Sequence, residues 1–244
     1  MKYYITFFII IFTTSVESYP KILTIKENSN YLLVNEKSLP IIDINILFNF
    51  GSKNDLSQKG ITNFSVELLH QQKYKNKKFI NTFEEIGAQF SSSVSRESTS
   101  VSIRFINTEK NLTIISSMLG KMLSNKDISN ETFELTKESI LKNIKARELD
   151  PSSILSYKSN EEYFSNTNLS HPINGYEENI IKISIDDIKQ HLISLITQNG
   201  IKVSFVGDID NSQAANFISN LLVDIPNDHK KIVGRYYEGN AEHV

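Results

Sequence analysis

Hydrophobic residues recur at two different spacings along the chain, and each spacing predicts one kind of element. In the stretch 42–50, isoleucine and phenylalanine alternate with aspartate and asparagine, which is the pattern of a strand with one buried face. Five further strands are predicted from shorter stretches between turn residues. These stretches are either alternating or continuously apolar. These five stretches are 21–25, 31–35, 88–95, 100–106 and 201–206.

Apolar residues spaced three and four apart predict helices over much of the remaining chain. The first helix begins near Gly60 and places Ile61, Phe64 and Leu68 on one face. Capping serines, acidic first turns, a terminal glycine and an Asp-Pro pair mark the ends of several others. These other predicted helices cover 83–87, 108–122, 129–149, 154–164, 184–197 and 214–222. The stretch 71–78 is polar and basic, and we interpret it as a solvated loop.

The order of the predicted elements indicates the fold class. Leaving aside the short helix at 83–87, the order is β-β-β, α, β-β, α-α-α, α, β, α, with a loop at 165–176 that is rich in Asn, Ser, Pro and Gly. Runs of strands followed by runs of helices favour an α+β fold. We therefore predict a mostly antiparallel sheet packed against several helices.

The first 18 residues have the features of a signal peptide. Lys2 precedes an apolar run at 5–16, and small or tolerated residues precede a cleavage site after Ser18. An uncleaved membrane anchor is the alternative, but a helix needs about 20 apolar residues to span a bilayer. We therefore expect processing, export and no membrane contact afterwards. The predicted segments are a signal peptide, one domain and a polar tail, at 1–18, 19–226 and 227–244.

The composition excludes several classes of chemistry. The net charge is −2, and charged residues of both signs are scattered, so no basic face supports a nucleic-acid partner. The chain has no cysteine, which excludes a disulfide framework, thiolate catalysis and cysteine-ligated zinc. It also has neither a Gly-x-Ser-x-Gly elbow nor a Gly-x-x-x-x-Gly-Lys phosphate loop. Export without cysteines fits a bacterial periplasm.

The region around the first predicted helix carries a family resemblance. A Gly-Ser turn at 51–52 follows the strand, and Gly-Ile-Thr-Asn-Phe at 60–64 opens the helix. Later elements follow in matching order: Glu-Glu-Ile-Gly-Ala-Gln-Phe before a hairpin, Asp-Pro after the long helix and Val-Gly-Asp after the last strand. Together they resemble the N-terminal half-domain of the pitrilysin/insulinase zinc peptidases, a family that includes the mitochondrial processing peptidases. The resemblance covers about residues 21–226.

The resemblance implies a zinc site on the first helix whose ligands are missing from this chain. In the family, this helix carries His-x-x-Glu-His, in which the histidines bind zinc and the glutamate polarises the bound water as general base. The corresponding positions here are Asn63, Val66 and Glu67. The third ligand, a glutamate on a later helix, corresponds to Asn143 or Ile144. We therefore name no catalytic and no metal-binding residue, and we expect no cofactor.

Histidines elsewhere leave one alternative open. Glu67 and His70 lie three residues apart, so they share a helical face, and with Asn63 or a distant glutamate they would form a zinc site in a shifted register. The alternative function is therefore an active zinc metallopeptidase with atypical ligands. His171, in a Ser-His-Pro segment, is expected to cap or pack a loop. The remaining histidines are expected to be exposed; they are His191, His229 and His243.

The resemblance also implies partners. Pitrilysin-type peptidases enclose a peptide between two homologous halves, and an active subunit often pairs with an inactive one. This chain resembles the inactive subunit and has the size of one half, so the tail at 227–244 would lead to a second half. We expect it to associate with an active subunit or with itself around a peptide. A truncated product or a stand-alone peptide-binding module is the remaining alternative.

Overall fold

A computed structural model describes residues 21–26 and 29–227 of the chain. The predicted signal peptide at 1–18 lies outside the described residues, as does the predicted tail at 227–244 apart from its first residue. The described strands are β1 (Lys21–Lys26), β2 (Ser29–Asn35), β3 (Ile41–Phe48), β4 (Lys73–Tyr74), β5 (Lys77–Lys78), β6 (Gln89–Val94), β7 (Thr99–Ile106) and β8 (Ile201–Gly207). The described helices are α1 (Ile61–Gln71), α2 (Phe79–Glu85), α3 (Glu109–Ser124), α4 (Asn130–Leu149), α5 (Pro151–Tyr163), α6 (Glu177–Lys182), α7 (Ile185–Leu195) and α8 (Asn211–Leu222).

Six strands form one sheet in the order β1-β2-β8-β3-β7-β6. Every neighbouring pair is antiparallel except β2 and β8, which are parallel. β3 is central, because its Ile44 lies opposite Ile103 of β7 on one side and Phe205 of β8 on the other. The predicted α+β fold with a mostly antiparallel sheet is confirmed.

The sheet has one buried face and one polar, partly exposed face. Alternate side chains of β3 are buried, as the period of two predicts. On the other face, Asp43 forms an ion pair with Arg104 across the strand pair, and Asn45 Nδ2 donates to Ser102 Oγ at 2.7 Å. Helices therefore pack on one side of the sheet, which places the core between the sheet and the helical layer.

Aromatic contacts join the sheet to its helices. Phe205 of β8 meets the ring of Tyr31 edge-on at 5.8 Å and that of Phe217 in α8 at 5.6 Å. Helix α8 lies so close to α3 that a Cβ added at Gly120 would stand 2.6 Å from the carbonyl oxygen of Leu221. The last predicted strand and helix are therefore part of the central core.

Two stretches differ from the sequence prediction. The stretch 71–78 is not an irregular loop, because it contains the end of α1 and an antiparallel ribbon formed by β4 and β5. The six-residue helix α6 follows the predicted loop and was not predicted. It buries one side chain, Ile180, so it carries no helical period for a sequence pattern to detect.

We expect Phe205→Ala to lower the free energy of unfolding by about 3–5 kcal/mol, since it removes a ring that the core encloses completely. The neighbouring Val206 is 43% exposed on the other face of the sheet, so Val206→Ala is the matched control and should cost much less. Urea unfolding followed by circular dichroism measures both variants. Equal losses would contradict the assignment of the two faces.

Candidate functional site

Helix α1 is the element on which the sequence predicts chemistry, and its start is fixed by a glycine. Gly60 precedes the helix with φ of 95°, a left-handed conformation that favours glycine. A Cβ at this position would lie 2.7 Å from the backbone oxygen of Asn174. The helix can therefore begin here only because residue 60 has no side chain.

The carboxylate of Asp55 holds the first turn of α1. It accepts hydrogen bonds from the backbone N–H of Gly60 at 2.7 Å and of Thr62 at 3.0 Å. These two groups belong to the N–H donors that a helix leaves without an internal partner, and the helix dipole favours a negative charge at this end. Asp55 therefore satisfies the start of the helix from a separate turn of the chain.

His171 completes this arrangement from the loop before α6. Its Nε2 donates to Asp55 Oδ2 at 3.0 Å, and the two residues are only 2% and 3% exposed. The sequence predicts a loop-packing role for His171, and the structure agrees with that interpretation. We call Asp55, His171 and the bonded backbone of Gly60 and Thr62 the helix-start cluster.

His191 of α7 reaches the same helix. Its Nε2 and the hydroxyl of Thr62 are hydrogen-bonded at 2.8 Å, and Thr62 itself is buried. Burial lowers the pKa of His191, and the nearby charge of Asp55 opposes this shift. The prediction that His191 is exposed is wrong, because the apolar face of α7 carries this side chain towards α1. The other two histidines expected to be exposed, His229 and His243, lie outside the described residues.

The three motif positions lie on α1 and differ in exposure. Asn63 is half-buried, Val66 is 4% exposed and Glu67 is exposed. Helix α4 packs beside α1, and the rings of Phe64 and Phe133 stack at 5.1 Å. The structure therefore brings together the two helices that a family zinc site would require.

The side chains at those positions do not fit zinc. An amide is a weak ligand for this metal, and the buried Val66 can neither hold a water nor accept a proton. On α4, Asn143 is exposed and Ile144 is fully buried. Within 21–26 and 29–227, no three histidine, aspartate or glutamate side chains come together in a way that could hold a metal ion.

The alternative pair, Glu67 and His70, is arranged differently from a metal site. The Nε2 of His70 is hydrogen-bonded to Ser92 Oγ of β6 at 2.6 Å, and the imidazole packs edge-on to the ring of Phe90 at 5.3 Å. Burial lowers the pKa of His70, while the charge of Glu67 opposes the shift. His70 therefore joins α1 to the edge strand of the sheet.

Sequence reasoning missed two members of this site. The sequence pattern singles out no role for Asp55, and Thr62 enters it only within the Gly-Ile-Thr-Asn-Phe segment. An acidic residue five positions before a helix-starting glycine is the one signal that was available for Asp55. The histidine partners of these residues, His171 of Asp55 and His191 of Thr62, are more than 100 positions away in the chain, so no local pattern reveals those contacts.

The fold defines the class of protein, which is an α+β domain with helices on one face of its sheet. Helix α1 lies between α4, α7 and the edge strand β6. Residues 31–176 match the family model described as Insulinase (Peptidase family M16). This match covers more than half of the chain, and the chain belongs to this family. The predicted resemblance to pitrilysin/insulinase-type peptidases is thereby confirmed.

Curated relatives of this chain include members with different descriptions. The non-peptidase homolog YmxG of Helicobacter pylori is 24% identical over 191 residues, which are 77% of this chain and 44% of that protein. Cytochrome b-c1 complex subunit 1 of Rattus norvegicus is 20% identical over 234 residues, which are 94% of this chain and 47% of that protein. The chain thus spans about half the length of the curated relatives that it matches.

Solved structures share the fold. The peptidase M16 inactive domain from Pseudomonas fluorescens superposes with a TM-score of 0.79 at 17% identity, covering 87% of this chain and 53% of that one. The first half of the periplasmic protease PqqL from Escherichia coli gives 0.74 at 16% identity, covering 88% and 48%. In the described part of this chain, no helix has the length and apolar character needed to cross a membrane.

We expect Asp55→Ala to lower the free energy of unfolding by about 3–5 kcal/mol, since it leaves buried N–H donors and an imidazole without their acceptor. Asp43→Ala is the matched control, because that carboxylate forms an exposed ion pair with Arg104 and should contribute little. Urea unfolding at neutral pH compares the two variants. Similar losses would show that the helix-start cluster has no special role.

The pKa of His191 predicts how stability depends on pH. Because burial lowers that pKa below 6.5, the unfolded chain binds more protons than the folded chain at mildly acidic pH. The contribution of His191 to the free energy of unfolding is complete above the pKa that this residue has in the unfolded chain. It is lost as the pH falls below that value. We therefore expect the free energy of unfolding to fall between about pH 7.5 and pH 5.5, and to fall less in His191→Gln.

The control for this experiment is Gln190→Ala, which changes a neighbouring exposed residue without an ionisable group. It should keep the pH dependence of the unmodified chain. If His191→Gln showed that same dependence, the neutral buried state of His191 would be excluded.

Proposed function

We propose that this chain is an exported, non-catalytic member of peptidase family M16 that forms part of a peptide-enclosing chamber with an active zinc peptidase subunit. In this proposal, residues 1–18 are a signal peptide, 19–226 form one half-domain, and 227–244 are a tail or linker. In this proposal, the compartment of the protein is a bacterial periplasm.

One observation supports the proposal. Helix α1 is present and its first turn is held by hydrogen bonds, but the positions of the family's zinc ligands and general base are Asn63, Val66 and Glu67. A catalytic zinc normally has three good protein ligands and an open position for water. Here one candidate ligand is an amide, and the position of the general base is a buried valine. On α4, the position of the third ligand is Asn143 or Ile144, so this helix also lacks a suitable zinc ligand.

The retained scaffold supports a role in binding. Strand β6 is at the edge of the sheet, and among the described residues it pairs only with β7. Its Ser92 and Phe90 contact His70 of α1, so an exposed strand edge runs beside the site helix. Edges of this kind take up extended peptides by adding a strand. A peptide-enclosing chamber needs a peptide-binding surface of this kind, whether or not that surface binds a metal ion.

The comparisons support the partner and the compartment indirectly. One relative is named as a subunit of the cytochrome b-c1 complex, and another is named as a non-peptidase homolog. A protein of the same fold is described as a periplasmic protease. These names belong to those proteins, and for this chain they support a proposal of assembly and export.

The test is purification of the tagged full chain from its native host at moderate salt, followed by a peptide-cleavage assay. We expect chelator-sensitive cleavage that resides in a second polypeptide carrying His-x-x-Glu-His, identified by mass spectrometry. Untagged cells provide the background. Recovery as a lone monomer without peptidase activity would contradict the chamber proposal, and peptide binding by that monomer would favour a stand-alone module.

A pair of substitutions separates this proposal from an active enzyme with atypical ligands. The double variant Glu67→Ala/His70→Ala should leave the zinc content of the chain unchanged, since neither residue holds the metal in our proposal. The matched control, Lys142→Ala/Lys145→Ala, alters exposed side chains of α4. Stoichiometric zinc in the chain itself, lost only in the Glu67/His70 variant, would establish the alternative.

A further inference from the structure

The ribbon formed by β4 and β5 concentrates positive charge in a fixed geometry. Lys73 lies opposite Lys78 and Tyr74 opposite Lys77, and the turn between the strands is Lys75-Asn76. Both turn residues have positive φ, 50° and 63°, as the central residues of a tight type I′ hairpin do. We call residues 73–78 the basic ribbon, since four of its six residues are lysine.

The basic ribbon is attached to the core at its base. Phe79, which follows it, is almost completely buried, and its backbone N–H donates to the carbonyl oxygen of Gln72 at 3.2 Å. The ring of Tyr74 stacks on that of Phe79 with centroids 5.9 Å apart. These contacts fix the strands, so the lysines project from a defined surface rather than from a mobile loop.

Cations crowd this surface. The ammonium groups of Lys75 and Lys121 both lie over the ring of Tyr74, at 5.4 and 5.1 Å from its centroid. Lys73 and Lys78 are cross-strand partners, and like charges in directly opposite positions destabilise a strand pair. The four lysines of the ribbon and Lys121 of α3 therefore bring five positive charges close together against their mutual repulsion.

The described chain compensates this charge only in part. Lys77 pairs with Glu85, and Lys73 lies 3.8 Å from Glu131. Both carboxylates are exposed, so water and salt screen these pairs. The whole chain has a net charge of −2, so the positive charge of the ribbon is a local excess and not part of a generally basic surface.

We propose that the basic ribbon is a docking surface for an acidic segment of another protein. Complementary charge steers and orients such contacts, and a rigid ribbon loses little freedom on binding. No exposed large hydrophobic side chain of the described residues lies in the ribbon, so nothing there would insert into a lipid surface. Its one aromatic ring already stacks on Phe79, which leaves no free platform for a nucleobase. The proposal uses residues that the proposed chamber function does not, and it stands independently of that function.

The experiment measures binding of a fluorescein-labelled oligoglutamate peptide to the full chain by anisotropy, at low and at physiological ionic strength. The test variant is Lys73→Gln/Lys75→Gln/Lys77→Gln/Lys78→Gln, which removes the four charges and keeps polar side chains that are one atom shorter. We expect binding about tenfold weaker in this variant, together with a reduced salt dependence. The matched control is Lys53→Gln/Lys110→Gln/Lys142→Gln/Lys202→Gln, which removes four charges elsewhere and should change binding little.

Circular dichroism melting checks that each variant folds. If the fourfold ribbon variant does not, Lys75→Gln/Lys77→Gln leaves the base of the ribbon intact and should weaken binding about fourfold. Equal weakening by the ribbon and control variants would overturn the proposal, because any lysines would then serve. Tighter ribbon-dependent binding to phosphatidylserine vesicles or to a single-stranded oligonucleotide than to oligoglutamate would overturn it as well.

Discussion

The buried carboxylate of Asp55 is the constraint on which the site region of this protein depends. It joins the turn after β3 and the first turn of α1 to the loop that carries His171, which lies more than 100 positions further along the chain. A buried carboxylate is costly unless it is hydrogen-bonded, and here two backbone N–H groups and an imidazole donate to it. This arrangement holds the start of α1, while Phe64 and His70 pack the helix against α4 and β6.

The sequence was sufficient for most of the fold, because local periodicity reflects which side of an element is buried. The alternation in β3 and the apolar stripe of α1 gave the elements and their buried faces. The ribbon at β4 and β5 was missed because Tyr74 is its only aromatic or apolar residue, so no alternation marks its strands, and its turn depends on positive φ at Lys75 and Asn76 rather than on glycine. Helix α6 buries only Ile180, and one apolar residue has no period.

The site was predictable in its position but not in its contacts. The family resemblance around Gly60 and Phe64 implies the motif positions Asn63, Val66 and Glu67, and all three lie on α1, which packs beside α4. The hydrogen bonds of Asp55 with His171, and of Thr62 with His191, join residues whose pairing only the tertiary fold determines. For the same reason the exposure of His191 was predicted wrongly.

The support of the site is therefore separate from its chemistry: the helix-start cluster holds the first turn of α1, while the side chains on α1 do not suit zinc. The most direct measurement is a crystal structure of zinc-soaked protein with anomalous data at the zinc edge. This separation predicts no zinc peak between α1 and α4, with the carboxylate of Asp55 still bonded to Gly60, Thr62 and His171. A zinc peak held by Glu67 and His70 would contradict it.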